Sequence, residues 1–307
     1  MATSVSVAAP QAVAGMRAAR PSFAGITRGE LLKISRQWTT WGMFVVLAGI
    51  LTLPFLVSLA APGFKDGLHQ APLFELYRTM GRNLWAFRIF VGPVLIVITA
   101  RLIGMEYSGG TIRVLLGRGV GRVQLLGAKL LAIAVYAVGL LLAGLIFDAL
   151  MTVLTVGVAA GNFDALKALN SGFWQDTWVY ILTIAISMAV TILMAAAVTV
   201  LGRSLAVGLS VGLGFFAADN IGLIFFYLAF RLTNSSGWLL ATGDLLGPNL
   251  NAMPAAVLPA RAAAATFSFN TPFTPVTGGH TLLVTAIWTL GFIATMVWLT
   301  WKRDVTE

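Results

Sequence analysis

Cysteine is absent from the chain, which removes disulfides, thiolate catalysis and cysteine-bearing metal sites together. Histidine is almost as scarce: His69 and His280 stand far apart, and neither sits in an HExxH or carboxylate–histidine spacing, so no metal site is expected. Charge is the third scarcity. Asp, Glu, Lys and Arg make up 10% of the 307 residues, whereas soluble domains carry about 25%. Apolar residues reach 58% and the mean hydropathy is +0.89. These figures exclude a cytosolic enzyme, a nucleic-acid binder and a disordered scaffold, and they describe a chain that lives in a bilayer. A Walker-type GxxxxGK[ST] loop is also missing, so the chain is not expected to hydrolyse ATP itself.

What is present is a set of long uncharged runs. A helix crossing roughly 30 Å of hydrocarbon needs about 20 mainly apolar residues. Uncharged stretches of 28 residues (37–64), 26 (177–202) and 21 (281–301) each satisfy this. Charge-punctuated stretches supply three more, so the expectation is an all-α polytopic protein with six transmembrane helices at about 38–59, 84–104, 124–156, 177–202, 204–230 and 281–301. The second span is short of uncharged length, with 12 residues between Arg88 and Arg101. It works if those two arginines snorkel to opposite interfaces.

Around the spans, residues 1–22 read as a flexible leader and not as a cleaved signal peptide. Residues 23–37 can wind as a cytoplasmic interfacial helix with Phe23, Leu31, Ile34 and Trp38 on one face; a basic stop-transfer flank is the plainer reading. The six-span domain covers 38–303, and 304–307 form a cytoplasmic tail. The proline-rich but apolar stretch 235–279 is expected to form a broken, re-entrant-like segment between spans 5 and 6, buried in protein. With both termini inside, 13 of the 20 basic residues fall on the cytoplasmic side, as the positive-inside rule asks of a multi-pass cell-membrane protein.

The most informative stretch joins spans 2 and 3: Glu106-Tyr-Ser-Gly109-Gly110-Thr111-Ile112-Arg113, then Gly117-Arg118-Gly119-Val120-Gly121-Arg122 and Leu-Leu-Gly-Ala-Lys129. The glycines break the helix leaving span 2, and Thr111 can cap a short basic helix lying just off the membrane. The pattern resembles the 2–3 loop of permease subunits in type-2 ABC exporters: E-x-x-x-G-T, a hydrophobic turn, a Pro-Val-Ser-Arg-like turn and a Gly-Lys opening the next helix. Gly119 and Gly121 replace the usual Pro and Ser, so the turn should be looser.

The resemblance implies that this loop is a coupling helix docked on a separate cytosolic P-loop ATPase, with Glu106, Gly110, Thr111, Arg113, Arg118 and Arg122 as coupling residues. It implies an exporter of a hydrophobic or amphipathic substrate, a second permease chain in a homo- or heterodimer, and contact with membrane lipids but not nucleic acid. No cofactor is expected in this chain; ATP and Mg belong to the partner. An ATP-independent transporter or channel is the alternative. From the residues alone, Glu106 can either pair with a nearby base or touch the partner.

Asp148, Asp219 and the adjacent Asn220 are candidates for the substrate path, since an acid within a membrane is a functional hypothesis by default. The plainer reading places both aspartates at the outer interface. Gly208-Leu-Ser210-Val-Gly212 matches a GxSxG elbow but lies in an apolar helix, where Gly208 and Gly212 read better as a GxxxG packing face.

Overall fold

The computed structural model describes residues 22–110 and 119–302. Among the described residues the chain is helical, with no strand. Helix α1 (Phe23–Arg36) precedes α2 (Trp38–Ala60), the short α3 (Phe64–Gln70) and the long α4 (Pro72–Ser108). After the loop come α5 (Arg122–Ala160), a 3₁₀ turn (Asp164–Ala168), α6 (Ser171–Gly202), α7 (Leu205–Ile221) and α8 (Leu223–Thr233). The short α9 (Gly237–Ala241), α10 (Leu246–Val257) and α11 (Ala260–Ala263) lead to α12 (Gly278–Lys302). Among the described residues five helices are long and apolar enough to span a membrane, and α7 with α8, bent by 56°, makes a sixth candidate.

Helices α4 and α6 form the centre. Leu95, Ile96 and Ala100 of α4 and Ile184, Ala195 and Ala196 of α6 are wholly buried. By contrast α2, α5 and α12 turn rows such as Val45, Val46, Ile146 and Ile287 outward. In water such a surface would be a fault; against lipid tails it carries no penalty. Small residues bring the helices together, as the GxxxG reading expects: at Gly208 a Cβ would strike Thr199 of α6, and at Gly212 it would lie 3.0 Å from Ile96 of α4. Ser210, the would-be nucleophile, donates to the Ala206 carbonyl of its own helix at 2.8 Å.

Helix length sets up two ends. At 1.5 Å per residue the 37 residues of α4 extend about 55 Å, well beyond roughly 30 Å of hydrocarbon. The stretch 84–104 is therefore the interior of a longer helix, and the break in α7–α8 falls at Gly222. We call the end bearing α1 basal and the other distal. Distally, Asp176 of α6 accepts from the Tyr77 hydroxyl at 2.6 Å and from Arg261 Nε and Nη2 at 2.9 and 3.3 Å, tying α11 to α4 and α6. That pair holds Arg261 above its ordinary pKa through the hydrogen bond to Asp176. Within the 235–279 segment, α10 is buried from Leu246 to Pro254 against α6, α7 and α12. Asn249 donates there to the carbonyls of Gly243 and Leu245, at 2.5 and 2.8 Å.

One reading needs correction. Arg88 does not snorkel: it is 4% exposed, and its Nη1 donates to Ser187 Oγ at 3.1 Å. The protein interior offers a hydroxyl where the interface was expected to offer water. In α1 the buried face is Thr27, Glu30 and Ile34, while Phe23 and Trp38 are exposed. Burying Glu30 is tolerable because two ammonium groups meet it.

Candidate functional site

Those ammonium groups define a basal ion cluster. Glu30 of α1 receives Lys33 Nζ at 2.7 Å on Oε1 and Lys129 Nζ at 3.0 Å on Oε2. Glu106, near the end of α4, receives the same two lysines on its Oε1, at 2.9 and 2.8 Å. Lys129 also donates to the Leu102 carbonyl at 2.9 Å. Its three protons therefore meet three acceptors from two helices. The side chains of Glu30, Glu106 and Lys129 are 4, 8 and 4% exposed, and that of Lys33 is 49%. Two acids and two bases make the cluster neutral, which is what permits its burial. Burial alone would lower the Lys33 pKa, but the hydrogen bonds to Glu30 and Glu106 outweigh it and hold the group above its usual value.

The cluster flanks the loop on both sides. Helix α4 ends where Gly109 N–H donates to the Met105 carbonyl at 2.8 Å, and Gly110 then takes φ +66°, a conformation that favours glycine. On the return, Gly119 has φ +82°, Val120 is buried, and Gly121 caps α5 with its N–H 3.4 Å from Gln124 Oε1. Thr111, Arg113 and Arg118 lie outside the described residues. Arg122 stands half-buried in the first turn of α5. Beside the loop, α4 closes on the start of α7 so tightly that a Cβ at Gly104 would lie 2.7 Å from Leu205 Cα.

Glu106 and Lys129, the charged ends of the loop pattern, thus face each other and not the surface. Glu30 and Lys33 complete the cluster without being candidates from the sequence. The signal was there: Glu30 is the one acid ahead of the first span, three residues from a lysine.

A second polar group lies about 27 Å further along α4. Arg88, Ser187, Asp219 and Asn220 line a cavity of about 10 Å³, room for about one water. Arg88 Nη2 and Asn220 Oδ1 are buried there without hydrogen-bond partners among the described residues. The Asp219 carboxylate accepts from the backbone of Gly247, which opens α10. Asp148 is apart from this cavity, against Asn83 of α4, with a buried Oδ1 that has no hydrogen-bond partner among the described residues. The structure therefore joins Asp219 and Asn220, adds Arg88, and leaves Asp148 separate.

Comparison with known proteins agrees with this architecture. A family model described as ABC-2 family transporter protein matches residues 26–219 of this chain, from α1 through Asp219. A Bacillus subtilis (strain 168) protein described as "Uncharacterized protein YhcI" is 27% identical over 173 residues, 49% of this chain and 55% of that protein. The match thus spans little more than half the length of that relative.

Proposed function

The chain belongs to the ABC-2 transporter family as a multi-pass membrane permease, a class that works with an ATP-binding subunit, and from that premise we propose that it is an exporter half driven through its 106–122 loop. The cargo is hydrophobic or amphipathic, and a second permease chain completes the pathway. The basal end is cytoplasmic. The observation that carries this reading is the ion cluster, because it fastens α1, the end of α4 and the start of α5 into one body around the loop. A push on the loop then moves three helices together, with no slack between them.

On this reading Glu106 positions the loop, while Gly110 and Thr111 shape its start and Arg113, Arg118 and Arg122 supply charge-assisted contacts to the ATPase. Asp219, Asn220 and Asp148 belong to the cargo path, together with Arg88. The test is co-purification with the cognate P-loop ATPase after replacing Arg113 and Arg118 by Glu. Normal membrane insertion with association weakened at least about tenfold, a loss of one charge-assisted contact, supports the proposal. Unchanged association and unchanged ATP-dependent transport overturn it, and transport that persists with no ATPase present makes the protein an ATP-independent transporter.

A further inference from the structure

Between α1, α2 and α5 runs a groove of about 460 Å³, within the roughly 300–1,000 Å³ range of ligand cavities. Its walls are hydrocarbon over most of their length, including Leu31, Phe44, Leu140 and Ala143. Most polar groups on the wall are already committed. Thr40 Oγ1 donates to the Ile34 carbonyl at 2.8 Å, Trp41 Nε1 to that of Ser35 at 2.9 Å, and Ser35 Oγ to that of Leu32 at 3.1 Å. Two donors are left. The Arg28 guanidinium is exposed at the mouth with no ion-pair partner among the described residues, since Glu30, two positions on, faces the opposite side of α1 and meets Lys33 and Lys129. The Tyr136 hydroxyl is buried and has no partner among the described residues.

The groove thus presents a cation and a neutral donor, lacks an acidic side chain on its wall, and continues as an apolar channel. Its complement is a molecule with an anionic head, acceptor oxygens behind it and a hydrocarbon tail. Trp41 and the α1 helix put the mouth at the level where tryptophan and arginine meet headgroups. We propose that this groove holds one anionic phospholipid of the surrounding bilayer as a resident ligand. Arg28 meets its phosphate, Tyr136 serves an ester oxygen, and one acyl chain lies along α5 past Gly139. Because α1 forms one wall, the lipid braces the same helix that the ion cluster holds from the other side. The assignment does not depend on what the protein transports.

The test begins with the full-length protein in nanodiscs of equal phosphatidylglycerol and phosphatidylcholine, followed by native mass spectrometry of the lipid each chain retains. The wild type is expected to keep one phosphatidylglycerol per chain. Arg28→Gln should cut the preference for phosphatidylglycerol roughly fivefold, the worth of one basic residue near an anionic head. Gly139→Leu should reduce both lipids together, since Gly139 lines the groove and a Cβ there meets nothing within 4 Å, so the added side chain starts from open space. Ala143→Leu is the second filling variant should the first not fold. Equal retention of the two lipids by the wild type overturns the proposal, as does wild-type retention in Arg28→Gln and both filling variants. A Gly139→Cys chain that cross-links to another protein chain overturns it too, by giving the groove a protein occupant.

Discussion

Lys129 Nζ lies 2.8 Å from Glu106 Oε1, so the two ends of the loop region are joined by a buried ion pair between α4 and α5. Removing one partner leaves the buried cluster with one unbalanced charge in a low-dielectric site. Glu106→Ala or Lys129→Ala is expected to cost about 3–5 kcal/mol, whereas the double variant should cost clearly less than the sum. Thermal unfolding in detergent measures all three, and strict additivity would refute a direct pair.

Alkaline stability probes the exposed member of the cluster. Lys33 has its pKa raised above the ordinary 10.5 by Glu30 and Glu106, after burial has pulled it down. A group raised on folding contributes fully below its unfolded pKa and loses that contribution as pH climbs through the folded value. The wild type should therefore exceed Lys33→Gln in melting temperature at pH 7–9. The gap should close above about pH 10.5, in melting curves recorded across that range.

Arg88 separates fold from transport. It is buried with Ser187 as its hydrogen-bond partner and carries an unmatched Nη2, so an apolar replacement of similar size relieves a desolvation cost. Arg88→Met is expected to unfold at the same temperature as the wild type or higher. Vesicle transport should fall at least about tenfold, the worth of one charge-assisted bond to cargo. Transport at the wild-type rate would remove Arg88 from the path.

Close helix packing has its own signature. Gly208→Leu drives a side chain into Thr199 and Ala100 and should destabilise by about 1–3 kcal/mol. Gly214→Ala meets open space on the same helix and should be neutral or slightly stabilising. Paired melting curves decide it, and equal effects would mean that α7 does not pack through this face.

The all-helical membrane architecture was legible because hydrophobic runs are a property of composition, and the break between α4 and α5 because glycines stand on both sides of it. Burial of charge was not. Reading Arg88 and Arg101 as the limits of a span assumes that arginine seeks water, yet Ser187, distant in sequence, gives Arg88 a partner inside the bundle. The same holds for α1: an apolar-face rule selects Phe23 and Leu31, while the observed seat is built on Glu30, whose partner Lys129 comes from another helix. Asp219 and Asn220 share a cavity with Arg88 for the same reason, and no spacing along the chain announces it.

The ion cluster also imposes an order on biogenesis. Its members leave the ribosome as Glu30, Lys33, Glu106 and finally Lys129. A nascent chain cut off ahead of Lys129 holds two carboxylates against a single half-exposed lysine, and α1 has no balanced seat to settle into. Once the first turns of α5 emerge, the missing ammonium arrives and the two acids are matched. The charge balance that seats α1 thus waits on an ammonium synthesised 99 residues after Glu30.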